Sequence, residues 1–145
     1  MSESSTYDIL NRLVVLHSRS LAAYLNYARP WAIQAHPKTL TVLDQMVADQ
    51  QNTVDRLAAL ILESGPVDPG EFPIAFTGYH DLSVEWLVNK LIERQKKTIA
   101  LIDQLTGELN LAPYAQAVAK EALGQAKGHL ENLQEVSGEL QATPV

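Results

Sequence analysis

The 145-residue sequence contains no cysteine, so disulfide bonds, thiolate nucleophiles and thiolate metal ligands are excluded. Strand-like alternation of apolar and polar residues is nearly absent. No apolar run approaches the roughly 20 residues that a membrane span requires. The start, MSESSTYDIL, lacks the basic and apolar regions of a signal peptide. From these absences we expect a cytoplasmic protein that has no contact with a membrane.

Positive charge is also scarce, with 11 Lys and Arg residues against 17 Asp and Glu residues and a formal net charge of −6. A domain that binds nucleic acid needs a basic face, so we expect no nucleic-acid partner. The composition, 46% hydrophobic and 19% charged, is typical of a globular protein. The length predicts a single domain spanning residues 1–145.

Apolar residues recur at spacings of three and four, which indicates amphipathic helices. The pattern predicts four long helices, over about residues 6–29, 39–63, 82–105 and 111–140. An all-α fold follows from these predictions.

The connection between the second and third predicted helices, residues 65–80, is much longer than the other two. Fully extended, it reaches about 50 Å, more than the roughly 36 Å length of a neighbouring helix. The second and third helices can therefore run parallel. We predict an up-down-down-up four-helix bundle with one long crossover, pinned to the outside by Phe72, Ile74 and Phe76.

Each predicted helix is apolar along one stripe except near its middle, where uncharged polar residues interrupt it. The interrupting residues are His17, Gln50 with Thr53, Gln95, and His129 with Gln125. The interruptions fall at one height in the bundle. Because a buried polar group without a partner costs about 1–3 kcal/mol, these side chains must satisfy one another or a ligand. The sequence therefore predicts a polar layer across the core.

Three segments resemble helices of the ferritin-like superfamily, on the bacterioferritin and rubrerythrin side. SLAAYLNYARPW resembles the end of the first helix, ADQQNTVDRLAALILESGPVDPGEFP the second helix and its exit, and AKGHLENLQEV the fourth helix. The resemblance implies a four-helix bundle with one crossover. In its di-iron members, a Glu from each of two helices and a Glu-x-x-His from each of the other two hold the metal.

The resemblance also implies that this ligand set is degenerate here. His17 stands at the position of the first-helix Glu, and residues 50–53, QQNT, stand at the second-helix Glu-x-x-His. Gln95 lies at or near the third-helix Glu, with Glu93 as the nearest carboxylate, and residues 126–129, AKGH, replace the last motif. An iron pair needs several carboxylates. We therefore expect di-iron ferroxidase chemistry to be lost.

Two hypotheses about function remain open. In the first, the polar layer is a neutral hydrogen-bonded network without a cofactor, and the protein has a non-catalytic binding or structural role. The sequence favours this role over an enzyme. In the second, the protein is an atypical metal-binding or redox protein that holds one Zn, Cu, Ni or Fe ion. Its ligands would be His17 and His129, with Gln50, Gln95 and Glu93 as further candidates.

The run LVVL at residues 13–16 is apolar around most of a helical turn. One stripe cannot bury all of it, so we expect Leu13 and Leu16 to lie on a second, outer face. An apolar outer face predicts a partner surface. The resemblance implies a dimer through the first two predicted helices, and we expect a homodimer.

Overall fold

The structure is a computed structural model that describes the backbone of residues 3–142 and the side chains of residues 6–141. This part of the chain is helical and contains no strand, which confirms the predicted all-α fold. The predicted domain, residues 1–145, includes residues 1–2 and 143–145, which lie outside the described residues. The helices are α1 (Glu3–Ser18), α2 (Leu21–Ala28), α3 (Trp31–Gln34), α4 (Pro37–Ile61), a 3-10 helix (Ile74–Tyr79), α5 (Val84–Gly107) and α6 (Pro113–Ala142).

The prediction of one continuous helix over residues 6–29 is wrong, because the chain breaks at Ser20 and divides it into α1 and α2. Ser20 has an extended backbone, and its hydroxyl accepts a hydrogen bond from the Ala23 amide, which makes it the N-cap of α2. At the other end, Arg29 adopts a left-handed backbone conformation, with φ of 46°, directly before Pro30. Proline disfavours helical geometry in the residue before it, so α2 ends there.

The other three predicted helices correspond to α4, α5 and α6, with ends shifted by about two residues. The start of α4 lies at Pro37, because a proline in the first turn needs no hydrogen-bonded amide. Ser83 caps α5 by accepting a hydrogen bond from the Trp86 amide. Glu85, in the first turn of α5, is favoured there by the positive end of the helix dipole.

The long helices contact one another in pairs, α1 and α2 with α4, α4 with α6, and α5 with α6, while α1 also contacts α5. In the pairs α2–α4, α4–α6 and α5–α6, the numbers of the hydrogen-bonded residues rise on one helix and fall on the other. Between α2 with its cap and α4, hydrogen bonds join Ser20 to Gln50 and Asn26 to Asp44. Between α4 and α6, they join Lys38 to Glu139 and Arg56 to Glu121. Between α5 and α6, they join Asn89 to Ser137 and Gln95 to Ala126.

The apolar core consists of two clusters of buried side chains. The first cluster surrounds α2, the start of α5 and the end of α6, and includes Leu25, Leu43, Phe76, Leu87 and Leu133. The second cluster surrounds α1, the end of α4 and the start of α6, and includes Leu10, Leu13, Leu57, Ile102 and Val118. The buried polar residues of the predicted layer belong to neither cluster.

The crossover segment is anchored by aromatic side chains, although not by all three that the sequence indicated. Phe76 is fully buried and Phe72 is half-buried, but Ile74 is 86% exposed, so the prediction for Ile74 is wrong. The Tyr24 ring lies 5.3 Å from the Phe72 ring and 5.6 Å from the Phe76 ring. The Tyr24 hydroxyl also hydrogen-bonds to His80 Nε2 at 2.5 Å. These contacts fasten the crossover to α2.

The predicted outer face of the first helix also needs correction. Leu13 is completely buried in the second cluster, so it does not lie on a partner surface. Leu16 is half-buried and stays at the surface. Within the described residues, no helix is both long and apolar enough to cross a membrane. The cytoplasmic location stays a prediction.

Candidate functional site

The structure brings four of the five predicted site residues to one small cavity at the centre of the helices. His17 comes from α1, Gln50 from α4, Gln95 from α5 and His129 from α6, and each is only 5 to 7% exposed. The cavity has a volume of about 10 Å³, the space that roughly one water molecule occupies. The layer is therefore closely packed and has room for roughly one atom the size of a water oxygen.

The His17 ring is fixed by its own helix. Its Nδ1 lies 2.7 Å from the Leu13 carbonyl oxygen, and because a carbonyl only accepts, Nδ1 carries the proton. The other ring nitrogen, Nε2, is left with a lone pair. Burial lowers the pKa of His17, the bond to Leu13 opposes this, and the neighbouring His129 lowers it further. The imidazole is therefore neutral at pH 7.

The two buried amides are each held at one end only. Gln50 Oε1 accepts a hydrogen bond of 2.9 Å from the Ser20 hydroxyl, and Gln95 Nε2 donates one of 3.0 Å to the Ala126 carbonyl. The amide orientations follow from these partners. Gln50 therefore has its NH₂ group, and Gln95 its carbonyl oxygen, available to the cavity. The layer offers both a donor and an acceptor.

His129 has a close neighbour but no hydrogen bond to it. Its Nε2 lies 3.0 Å from Asp49 Oδ2, yet the angle does not qualify as a hydrogen bond, and Nε2 is buried without a partner. Burial lowers the pKa of His129, while the charge of Asp49 and the hydrogen-bonding distance between its carboxylate and the ring raise it, and the net direction is down. Because the ring is neutral at pH 7, the contact with Asp49 is not an ion pair.

Asp49 is a functional candidate that was not predicted from the sequence pattern. Its side chain is only 29% exposed and lines the cavity beside His129. The sequence did contain a signal, since Asp49 lies four residues before Thr53 and adjacent to Gln50, on the edge of the polar stripe.

Glu93, the fifth predicted site residue, lies apart from the cavity. Its side chain is 52% exposed and contacts Lys90 at 3.3 Å and Lys97 at 3.5 Å. The hydrogen bond and charge of Lys90 lower the pKa of the Glu93 carboxyl. Glu93 therefore belongs to a solvated row of charges on α5 and does not contact the layer.

The chemistry of the cavity is limited by its donors. Among the described residues, no group of three or more His, Asp or Glu side chains is arranged to hold a metal ion. Asp49 is the only carboxylate at the cavity wall. Two neutral imidazoles, three amides, a hydroxyl and one carboxylate line this site, where they can form hydrogen bonds or bind one small guest.

Neither a protein-family model, nor a curated protein, nor a solved structure matches this chain. The resemblance to ferritin-like proteins accordingly stays a prediction from the three segments. The function must be argued from the cavity itself.

Proposed function

We propose that this protein is a ferritin-like, up-down-down-up four-helix bundle in which a neutral polar layer replaces the di-iron centre. Its role is to bind or to organise, and not to catalyse. The helix directions are supported by the hydrogen bonds that α4 makes with α2 and with α6, and by those between α5 and α6. Each of these pairs has the reversed numbering of antiparallel neighbours. On that reading α4 and α5 run parallel, which requires the long crossover.

The observation that carries the functional proposal is the size and lining of the central cavity. Two metal ions in a shared site lie about 3.5–4 Å apart and need several carboxylates between them. A cavity of about 10 Å³ has room for roughly one atom, and Asp49 is its only carboxylate. An iron pair therefore does not fit this layer, in either volume or charge.

A polar layer of this kind has a recognised physical use. Polar groups inside a bundle restrict the helices to the register in which those groups find partners, at some cost in stability. Here His17 is fixed by the Leu13 carbonyl and Gln95 by the Ala126 carbonyl, so their orientations are determined before any guest arrives. The arrangement supports a preorganised binding layer.

The proposal is tested by adding ferrous ion to protein that has been purified without an affinity tag and dialysed against chelator. We expect no acceleration of oxygen consumption over the buffer blank and no pair of tightly bound iron ions per chain. A protein that binds two iron ions and consumes oxygen in proportion to them would defeat the proposal. Circular dichroism of the same sample verifies that the dialysed chain is folded.

A homodimer through α1 is part of the same proposal. The support is a groove of about 580 Å³ beside α1, lined by Val15, Leu16 and Leu101 together with the opposite charges of Asp8 and Arg12. In a two-fold arrangement, such a surface can meet its own copy with apolar contacts and paired charges.

The dimer is tested by light scattering of Leu16→Glu, which we expect to be a folded monomer. Gln134→Glu, an exposed change on α6, is the control and should leave the mass unchanged. A parent protein that is already monomeric at micromolar concentration would contradict this part of the proposal.

A further inference from the structure

The contact between Asp49 and His129 has an unusual combination of properties. The two atoms, Asp49 Oδ2 and His129 Nε2, are 3.0 Å apart, which is hydrogen-bonding distance, but the ring nitrogen does not point at the oxygen. Nε2 is buried, and a buried nitrogen without a partner costs about 1–3 kcal/mol. His129 is only 5% exposed and lines the central cavity. Among the described residues, Nε2 thus has no well-aligned hydrogen-bond partner.

The same geometry is that of two ligands sharing one metal ion. Two ligand atoms at about 2.1 Å from an ion lie about 3.0 Å apart when they subtend a right angle, and about 3.4 Å apart in a tetrahedron. In such an edge the nitrogen lone pair points at the ion, and the carboxylate oxygen lies to one side. The 3.0 Å separation corresponds to the right-angled edge.

Resting on the binding role proposed above, we propose that Asp49 and His129 bind a single divalent transition metal ion at the wall of the polar layer. The Gln95 carbonyl oxygen, whose amide nitrogen is held by Ala126, supplies a further ligand, and water completes the shell. An imidazole with a carboxylate favours Zn²⁺, Co²⁺ or Ni²⁺ over Mg²⁺ and Ca²⁺. Asp49 is partly exposed, which gives the ion a route from solvent.

The site is a weak one by its composition. No three imidazole or carboxylate groups of the described chain converge, so the ion keeps water ligands and does not hold the fold together as a structural zinc does. His17 lines the same cavity, and its unprotonated Nε2 is a further nitrogen donor there. The bundle is expected to fold without the ion and to take it up reversibly.

The experiment is a titration of the chelator-treated, tag-free protein with Co²⁺, followed by the visible absorption of the bound ion and by calorimetry. We expect one Co²⁺ per chain, with the low absorption intensity of a five- or six-coordinate ion, and displacement by Zn²⁺. Asp49→Asn retains the shape of the side chain but removes its charge, and should weaken binding roughly tenfold or more. His129→Gln should do the same.

Asp55→Asn is the matched control, because Asp55 is an exposed carboxylate on α4 that bonds to Gln51 and does not line the cavity. It should bind Co²⁺ as the parent does. Equal affinity in Asp49→Asn and Asp55→Asn would mean that the ion binds elsewhere on the surface, and would overturn the proposal, as would the absence of stoichiometric binding. If His129→Gln does not fold by circular dichroism, Asp49→Asn decides alone.

Failure of this site is distinguishable from failure of the proposed function. If the folded protein binds no Co²⁺ and does not oxidise iron, the metal site is refuted, while the proposed neutral polar layer stands. If the protein binds two iron ions and oxidises them, the proposed function is refuted, whatever the affinity for Co²⁺.

Discussion

The two apolar clusters and the polar layer are built from the same long helices, but they hold their side chains in different ways. In the clusters, Leu57 and Phe76 are fully buried among other apolar groups and are held by packing alone. In the layer, side chains are held by hydrogen bonds. His17 bonds to the Leu13 carbonyl of its own helix, Gln50 to the Ser20 hydroxyl, and Gln95 to the Ala126 carbonyl of α6.

The difference separates stability from specificity. Apolar burial contributes about 25 cal/mol per Å², or about 1.5–3 kcal/mol for one fully buried large side chain. A buried hydrogen bond contributes a net of only about 1 kcal/mol. The clusters therefore provide most of the free energy of folding, whereas the layer determines which groups face the cavity.

The largest expected effect is in the clusters. Leu57→Ala should lower the free energy of unfolding by about 2–5 kcal/mol, because the change removes apolar burial and leaves a cavity. The control is Leu62→Ala, the same change at a leucine that is 66% exposed, which should alter stability by less than about 0.5 kcal/mol. Chemical denaturation measures both. Similar losses in the two variants would refute the assignment of stability to the clusters.

Acid should lower the stability of the protein through the histidines of the polar layer and not through the apolar clusters. The pKa of both His17 and His129 is lowered by burial in the folded protein, so the unfolded chain binds protons more readily. Stability is then full above about pH 6.5, the ordinary histidine pKa, and declines as the pH falls towards the folded pKa values. Thermal melts of metal-free protein between pH 8 and pH 5 should show this decline, and a double variant with His17→Gln and His129→Gln should flatten it. An equal slope in the double variant would locate the effect elsewhere.

The helical fold was largely predictable, because long amphipathic patterns repeat over six or more turns. The break at Ser20 was not, since the apolar stripe continues in phase through Leu21 and Tyr24 and no glycine or proline marks the position. A serine hydroxyl that caps a new helix and also bonds to another helix can only be identified in three dimensions. The burial of Leu13 likewise depends on which neighbouring helix covers it.

The candidate site was predictable where polar residues interrupt an apolar stripe, as His17, Gln50 and His129 do. It was not predictable where a charged residue lies at the edge of the stripe. Asp49 was not among the predicted site residues, because charge ordinarily indicates exposure. Glu93 was considered because it is close to Gln95 along the chain, but two residues along a helix lie on different faces. The contact between Asp49 and His129 depends on how α4 and α6 are aligned along the bundle axis. The apolar periodicity of the sequence predicts that alignment only to within about one helical turn.

A smaller loss of stability is expected at Ser20, which lies at the break between α1 and α2 and bonds to the polar layer. Ser20→Ala removes both the cap of α2 and the hydrogen bond to Gln50, and should cost about 0.5–2 kcal/mol. Ser83→Ala is the matched control, because Ser83 caps α5 in the same way without a bond to the layer. The excess cost of Ser20→Ala over Ser83→Ala measures the Gln50 bond. No excess, by chemical denaturation, would mean that this bond does not stabilise the layer.

The smallest effect is expected where a layer residue becomes apolar. Gln95→Leu removes a buried amide, and the Ala126 carbonyl that it contacts remains within the hydrogen-bonded turns of α6. The change in unfolding free energy should be within about 1 kcal/mol, since no strongly bonded group is orphaned. The reciprocal change, Leu91→Gln, one turn earlier and inside the first cluster, buries an amide without a partner and should cost about 1–3 kcal/mol from desolvation, with lost packing in addition. Denaturation of both variants compares the two regions directly on one helix. If Gln95→Leu were as costly as Leu91→Gln, the layer would be a source of stability in its own right, and the division between stabilising clusters and a specifying layer would have to be abandoned.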